Sequence, residues 1–203
     1  SVSWTVPEHI SNIKVKTSSD GGTTWSADIT TSPASVAAND LVVVMVTPET
    51  NYEVESVTAG SNDVRFSSEN GGYQFTMGSE GVTLSVTPIV TYEVSWTKPT
   101  GVTTIVMKTS SSTDFSSSTE ISESSIRVRQ NYYVQVAITC GNGYSVKKVT
   151  GPGGGEGSES GGFYTFQVTD ADVSIGIEVN EPTKYSVSWT VPEHISNIKV
   201  KTS

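Results

Sequence analysis

The sequence predicts an all-β protein made of two tandem small β-domains, each an Ig-like sandwich or a β-grasp-like fold, plus a partial third repeat. Three observations lead to this prediction. Apolar and polar residues alternate along most of the chain, and helical periodicity is nearly absent. Asn-Gly pairs and prolines separate the alternating segments, as turn residues do. The chain also repeats itself at two levels, which is typical of an array of small domains.

The first level relates the two halves of the chain, which are diverged copies of each other. Trp4 in SVSWT matches Trp96 in EVSWT, at an offset of 92 residues. The same offset aligns 41–47 (LVVVMVT) with 133–139 (YVQVAIT), and it becomes 91 where Tyr73 matches Tyr164. Because the offset changes only at expected loops, the repeating unit is a domain of about ninety residues, an ordinary domain size.

The second level is an identical repeat: residues 186–203 have the same sequence as residues 1–18. We therefore divide the chain into a first repeat (1–91), a second repeat (92–185) and the first two strands of a third repeat (186–203). Two origins stay open. Either a unit of 185 residues was duplicated recently, or the opening segment was added at the other end.

The strand patterns within the first repeat can be interpreted in chain order. The stretch 26–40 is the least regular, and a short helix there stays open as an alternative. Residues 41–47 are apolar on both faces, which predicts a strand at the centre of a sheet. Residues 82–87 alternate strictly, as a strand with one solvated face does. The Asn70-Gly71 pair, and Asn142-Gly143 in the second repeat, predict hairpin turns because Asn-Gly accepts positive φ angles.

Composition excludes several classes of function. The net charge is −9, so nucleic acid is not an expected partner, since phosphate binding needs basic patches. No apolar run approaches the ~20 residues of a membrane helix, so no membrane insertion is expected in this segment. Cys140 is the single cysteine, which rules out an intrachain disulfide. Low charge and abundant serine, threonine and glycine suit an extracellular β-protein.

The chain offers no convincing set of catalytic or metal-binding residues, and we predict neither an enzyme nor a cofactor. His9 and His194 occupy one position in two copies, where a surface turn explains them better than catalysis. Asp170 and Asp172 fall far short of the six to eight oxygen ligands that calcium takes. The glycine-rich stretch 151–162 lacks the Lys-Ser/Thr of a phosphate-binding loop and is interpreted as a flexible hairpin loop.

One covalent alternative stays open. Surface domains can carry an autocatalytic cross-link between a lysine and an Asn or Asp side chain. Lys14, Lys16 and Lys108 lie on early strands and Asn180 on a late one. A loss of about 17 or 18 Da, for ammonia or water, would reveal such a bond.

The terminal copy carries the main prediction about assembly. Two strands without the rest of their domain are marginal alone, and an apolar edge invites pairing. We predict that the segment docks onto the preceding domain or into a neighbouring molecule by strand addition. The candidate residues are those of the terminal copy and their counterparts in the opening segment, namely Val187, Trp189, Ile195, Ile198, Val200, Trp4, Ile13 and Val15.

Aromatic residues outside the core supply an alternative function, that of a carbohydrate-binding module. Trp25, Tyr132 and Tyr133 do not belong to the tryptophan position shared by the repeats. Tyrosine and tryptophan combine an apolar body with a polar group, which suits recognition as well as packing. We take these three residues as candidates for glycan binding.

The second half of each repeat resembles a known family. Tyr144 and Val146 are followed by Tyr164, Phe166 and the run 170–173 (DADV). This pattern resembles the internalin-type B-repeat of bacterial surface proteins. The resemblance implies a cell-surface or secreted bacterial protein with a modular, non-enzymatic role. We therefore expect a structural array, such as a stalk, fibre or adhesin, whose partners are neighbouring repeats or copies of itself, with a host or glycan ligand as a further partner.

Overall fold

A computed structural model describes residues 1–201 of the chain, and nearly all regular structure in them is β-strand. The one helical element among these residues is a 3₁₀ turn at Pro152–Gly154. The predicted all-β class is confirmed. The stretch 26–40 contains no helix; its backbone instead makes isolated bridges, including one between Ile29 and Val15.

Fourteen strands follow one another along the described chain. Those that begin in the first repeat are β1 (Val2–Ser3), β2 (Ile10–Ser18), β3 (Leu41–Pro48), β4 (Tyr52–Ala59), β5 (Arg65–Ser67), β6 (Gly72–Thr76) and β7 (Val82–Trp96). Those of the second repeat are β8 (Val102–Ser110), β9 (Ser125–Arg129), β10 (Tyr133–Cys140), β11 (Ser145–Thr150), β12 (Ser158–Ser160), β13 (Phe163–Gln167) and β14 (Val173–Asn180).

Each repeat places two groups of strands around one core. In the first repeat, the antiparallel sheet β2-β3-β6-β5 faces β1, β4 and the first part of β7. In the second repeat, the sheet β8-β10-β13-β12 faces β9, β11, β14 and the last part of β7. The buried residues form two separate clusters, one per repeat. Two sheets sharing one core is the sandwich arrangement.

The central position of 41–47 is confirmed. β3 lies between β2 and β6, and Val42 and Val44 are fully buried against the core. The aligned residues of β10, Val134 and Val136, are buried in the same way. Val43 on the opposite face is also buried, as a strand that is apolar on both faces requires.

One of the two hairpin predictions is wrong. Asn70-Gly71 does join paired strands, β5 and β6, with Gly71 at a φ of 63°. Asn142-Gly143 does not, because β10 pairs with β8 and β13, whereas β11 pairs with β14 in the other sheet. Gly143 still has a positive φ. The Asn142-Gly143 pair therefore specifies a tight turn, but it does not specify the partners of the flanking strands.

The interpretation of 151–162 as a plain hairpin loop also needs correction. Ser158–Ser160 forms the edge strand β12, which pairs with β13, and the 3₁₀ turn precedes it. Gly157 lies so close to the Phe166 ring that a Cβ there would be 2.6 Å from it. Glycine is needed at this position for the close approach of backbone and ring.

A single strand joins the two repeats. β7 runs for 15 residues, so that its first part closes the first repeat and its last part opens the second. β1 pairs in parallel with the start of β7, where Val2 lies opposite Val82. β14 pairs in parallel with the end of β7, where Val173 lies opposite Val94. These two registers are equivalent in the repeat alignment, and all three strands point the same way.

Candidate assembly surfaces

The opening segment, residues 1–18, is seated on the first repeat by backbone hydrogen bonds and by side-chain burial. The N–H of Val2 donates to the carbonyl of Ala34 at 2.9 Å, and the N–H of Ala34 donates back at 2.8 Å. The N–H of Trp4 donates to Oγ of Ser32 at 2.8 Å. The indole of Trp4 is buried in the core, with 7% of the residue exposed.

The second half of the opening segment is β2, which alternates between core and solvent. Ile13 and Val15 are buried in the core. Lys14 and Lys16 point away from it and contact the carboxylate of Asp28, at 3.0 and 3.3 Å. These two ammonium groups lower the pKa of Asp28. The cluster is solvent-exposed, so it orders the surface and adds little stability.

The tail, which we define as residues 186–203 and which the structure describes to residue 201, forms no strand in the described part. The prediction of two strands there is wrong. Val187, Trp189, Ile195 and Val200 are about half exposed or more, and Ile198 is half-buried. The described part of the tail has no strand pairing with the second repeat, so docking onto the preceding domain by strand addition is not found. The missing partner explains this, because a strand needs a neighbour for its backbone groups.

The tail nevertheless keeps one local structure of the opening segment. His9 and His194 both have positive φ angles, 66° and 72°. In both copies the N–H of the next residue donates to the carbonyl of the proline two positions before the histidine, at 3.3 Å from Ile10 and 3.1 Å from Ile195. The predicted surface turn after Pro7 is thus present, and in the tail the same turn forms among exposed residues without strand pairing.

The junction between the two repeats is fixed by several polar contacts around Thr91. The N–H of Thr91 donates to the carbonyl of Asn51 at 2.7 Å, and its hydroxyl donates to the same oxygen at 3.0 Å. Arg129 of the second repeat donates to the Glu53 carboxylate at 2.8 Å and to the carbonyl of Val54 at 3.1 Å. Burial lowers the pKa of Arg129, but Glu53 and Tyr132 outweigh this effect and raise it overall.

Sequence reasoning missed this junction cluster. The residues aligned with Glu53 and Arg129 in the other repeat are Ser145 and Ala37, so the repeat pattern gave no signal for a charge pair. His9 lies at the edge of the same region, with its ring stacked on Tyr52 at 3.9 Å between centroids. Only the fold brings these distant positions together.

The second junction, between β14 and the tail, differs at one decisive residue. Pro182 occupies the position that aligns with Thr91 when the register of β7 is continued onto β14. Proline has no N–H to donate, so the hydrogen bond made by Thr91 has no equivalent. Pro182 instead packs against Gly143, where an added Cβ would lie 2.7 Å from the proline Cβ. Gly143 aligns with Asn51, the acceptor at the first junction.

The aspartates considered for calcium have other partners. Oδ1 of Asp172 accepts the N–H of Glu93 at 2.7 Å, which ties the start of β14 to β7. Asp170 accepts the hydroxyl of Thr169 at 2.9 Å. Among residues 1–201, no three His, Cys, Asp or Glu side chains group as metal ligands would. Nor does a helix long and apolar enough to span a bilayer occur in that range.

The covalent cross-link has no pair of partners in this structure. Lys14 and Lys16 both contact the exposed Asp28, and Lys108 lies 3.6 Å from Glu120. Nδ2 of Asn180 donates to Ser145 at 3.2 Å, on the other sheet from Lys108 of β8. Such bonds form where a buried acid promotes them, and these carboxylates are exposed.

The three aromatic candidates for glycan binding do not meet. Trp25 is half-buried in a loop of the first repeat. Tyr132 packs against the core of the second repeat and receives a hydrogen bond from Arg129 at 3.5 Å. Tyr133 lies on the opposite face of the same chain segment, since neighbouring strand residues alternate. Tyr133 lines a surface groove together with Phe163, which sequence reasoning missed.

No protein-family model, curated protein or solved structure matches this chain. The resemblance to the internalin-type B-repeat stays a prediction that rests on the residues of 144–173.

Proposed function

We propose that this chain is a structural tandem-repeat segment of a bacterial extracellular surface protein, serving in a stalk, fibre or adhesin array whose repeats join end to end. The observation that carries the proposal is the shared strand β7, which ends one repeat and begins the next without interruption. β1, β7 and β14 are parallel, so each repeat advances the chain in the same direction. An array built by this rule grows in length with every repeat.

The contacts around the shared strand oppose bending. β4 of the first repeat and β9 of the second pair with successive parts of β7. The N–H of Gln130 donates to the carbonyl of Val90 at 2.9 Å, next to the hydrogen bonds of Thr91. A hinge at this point would break these bonds together and expose Thr91, which is buried. Such a junction suits a stiff extender.

The tail supports the proposal because its sequence is identical to that of residues 1–18, which contribute buried side chains to the core of the first repeat. Within residues 1–18, the side chains of Trp4, Ile13 and Val15 are buried against the rest of the first repeat. The identical residues of the tail remain exposed and need the rest of a first-type repeat to cover them. In an array, the residues that follow the tail supply that cover.

Strand addition between separate molecules depends on whether the opening segment of the receiving molecule is present. If the tail of one copy displaces residues 1–18 of another, one identical segment is buried and one is released, so no contact is gained. Association itself costs free energy, and the exchange is therefore unfavourable between intact chains. It becomes favourable only where a first repeat has lost its opening segment.

Removal of residues 1–18 therefore tests strand addition. A variant of residues 19–203 lacks the opening segment, so the surface of the first repeat that this segment covers is free. The tail at the other end of the variant has the sequence that can cover this surface in a second molecule. We expect it to form head-to-tail polymers, detected by analytical ultracentrifugation and electron microscopy, because a heterologous contact that does not close yields filaments. The intact chain and a variant of residues 19–185 are the controls, and both should stay monomeric.

A synthetic peptide of residues 1–18 provides the second measurement. It should bind the 19–185 variant, restore one cooperative unfolding transition for the first repeat, and cap the polymers of 19–203. If 19–203 remains monomeric while the peptide still restores folding of 19–185, end-to-end strand addition is wrong. If a chain with the 185-residue unit doubled has the same maximum dimension by X-ray scattering as the single unit, the stalk is wrong.

A further inference from the structure

The outer face of the sheet β8-β10-β13-β12 carries a surface groove. Two adjoining cavities of about 560 and 230 Å³ lie along it and share Gln135 and Phe163. Phe163 is 40% exposed and belongs to neither core cluster. The groove is concave, has aromatic walls and is open to solvent, as binding sites for small ligands are.

The strand register sets the order of the groove residues. Across β10 and β13, Tyr133 lies opposite Gln167, Gln135 opposite Thr165, and Ala137 opposite Phe163. All six side chains are on the outer face, because they alternate with core residues. The two aromatic rings therefore stand at opposite ends of a row whose centre is Gln135, with their Cα atoms about 14 Å apart from strand geometry.

Several polar side chains of the groove have no hydrogen-bond partner among residues 1–201, whereas Nε2 of Gln167 donates to the carbonyl of Asn131 at 3.1 Å. Among the hydrogen bonds of residues 1–201, none involves the side chains of Gln135, Tyr133 or Thr165. Ser158 and Ser160 on β12 add two further hydroxyls at the rim. These groups offer both donors and acceptors to a ligand.

The groove carries no net charge. The larger cavity is lined by aromatic, amide and hydroxyl residues without an ionisable acid or base other than the tyrosine phenol. The smaller cavity contains Lys108 and Glu120, which lie 3.6 Å apart and offset each other's charge. A charged ligand such as a phosphate or an acidic peptide would find no counter-charge here.

We propose that this groove binds a neutral oligosaccharide. Sugar rings present apolar C–H faces that stack on aromatic rings and hydroxyls that pair with amides and hydroxyls. Tyr133 and Phe163 supply two stacking platforms, and Gln135 between them supplies an amide that can donate and accept at once. The spacing of the platforms suits a short linear chain of sugars laid along the strands.

An extended peptide is the main competitor, and the geometry disfavours it. Peptides add to a sheet through the free backbone of an edge strand. The edge strand beside the larger cavity, β12, has only 3 residues, and the other edge strand, β8, is bridged at Met107 by Ile121. The unpartnered groups of the groove are side chains on the face of the sheet. Recognition here therefore depends on side chains and not on a backbone ladder.

At the aligned place the first repeat has a smaller cavity, of about 330 Å³, which provides an internal comparison. Leu41, Val43 and Gly72 occupy the places of Tyr133, Gln135 and Phe163 in the aligned register. Lys14 and Arg65 stand where the second repeat has the uncharged Val106 and Ser158. Both aromatic platforms and the central amide are thus properties of the second repeat alone.

The test uses the intact chain and a panel of neutral polysaccharides: glucans, mannans, galactans and chitin. Binding is screened by affinity electrophoresis or pull-down, and the hexasaccharide of any binder is then titrated calorimetrically. We expect saturable binding that weakens at least about tenfold in Phe163→Ala and in Tyr133→Leu, which installs the first-repeat residue. Gln135→Val should weaken binding similarly, because it removes the central amide.

Phe66→Ala is the matched control, since Phe66 is a phenylalanine of the first repeat that is 62% exposed and lies outside the groove. This variant and Trp25→Ala should bind as the intact chain does. Circular dichroism melting shows whether each variant is folded. The proposal is overturned if no neutral polysaccharide binds, if Phe66→Ala weakens binding as much as Phe163→Ala, or if only extended peptides bind.

Discussion

The opening segment and the tail have one sequence in two settings, and they differ in exposure and in secondary structure. Trp4 is 7% exposed, whereas Trp189 is 51% exposed. Residues 10–18 form β2, whereas the same residues in the tail form no strand as far as residue 201. The side chains are the same, so the difference comes from what lies next to each segment.

The comparison shows which contacts convert this sequence into strands. In the first repeat, Ala34 and Val82 flank Val2 on both sides, and β3 pairs with β2 along its length. The tail has the second repeat before it but no third repeat around it in the described residues. Strand formation in this family of segments is therefore a tertiary event, since isolated two-stranded units are marginal.

The largest expected effect comes from removing the two tryptophans in turn. Trp4→Ala should lower the free energy of unfolding of the first repeat by about 3–5 kcal/mol, because it leaves a cavity in the core. Trp189→Ala should change stability by less than about 0.5 kcal/mol. Chemical denaturation followed by circular dichroism measures both, and Trp96→Ala is the control for a buried tryptophan in the second repeat. Equal losses for Trp4 and Trp189 would show that the tail is seated in solution.

A smaller effect is expected from Ser32, which holds the backbone of Trp4. Ser32→Ala leaves the N–H of Trp4 without its acceptor and should cost about 1 kcal/mol. Ser11→Ala is the matched control, because the hydroxyl of Ser11 donates to the Thr47 carbonyl at an exposed site where water can replace it. If both variants lose the same stability, the burial of Trp4 in the core does not depend on this hydrogen bond.

Pro182→Thr tests the second junction. The variant restores an N–H at the position of Thr91, which can donate to the carbonyl of Gly143, and we expect slower amide exchange there with a stability change of about 0.5 kcal/mol or less. Amides of the tail beyond Tyr185 should stay unprotected, because their partner is still absent. Glu181→Thr, which keeps the proline, is the control. Protection throughout the tail in the variant would mean that the proline alone prevents strand formation.

The smallest effect concerns pH and the end of the opening segment. Oδ1 of Asp20 accepts the N–H of Thr24 and the hydroxyl of Ser18, and these bonds lower the pKa of Asp20 from 3.8 to about 2. Because the folded pKa lies below the unfolded one, the stabilisation is complete above about pH 4 and is lost as the pH falls towards 2. The melting temperature of Asp20→Asn should therefore fall less steeply than that of the parent over this window. Parallel curves for the two proteins would contradict the assignment.

Much of the fold could be predicted, because it depends on local patterns. Alternation gave the strands, and the apolar run 41–47 gave the centre of a sheet. Asn142-Gly143 misled, because turn residues set backbone angles and do not decide which sheet the next strand joins. The contact of Arg129 with Glu53 joins residues 76 apart in sequence, and neither has a charged counterpart in the other repeat.

The binding groove shows the same limit. Tyr133 was a candidate from its sequence alone, but Phe163 was not, since only the register of β10 and β13 places the two at the ends of one groove. Trp25 and Tyr132 were candidates on equal grounds and lie elsewhere. Residue type selects what a side chain can do, whereas the register decides which side chains act together.

The sequence by itself determined the turn after Pro7 and Pro192, because the same positive φ and the same hydrogen bond occur in both copies, with and without a domain around them. It also determined the alternation that gives each strand a core face. Only the tertiary structure decided whether that face is buried, since a strand satisfies its backbone groups and hides its apolar side through neighbours that are distant in the chain.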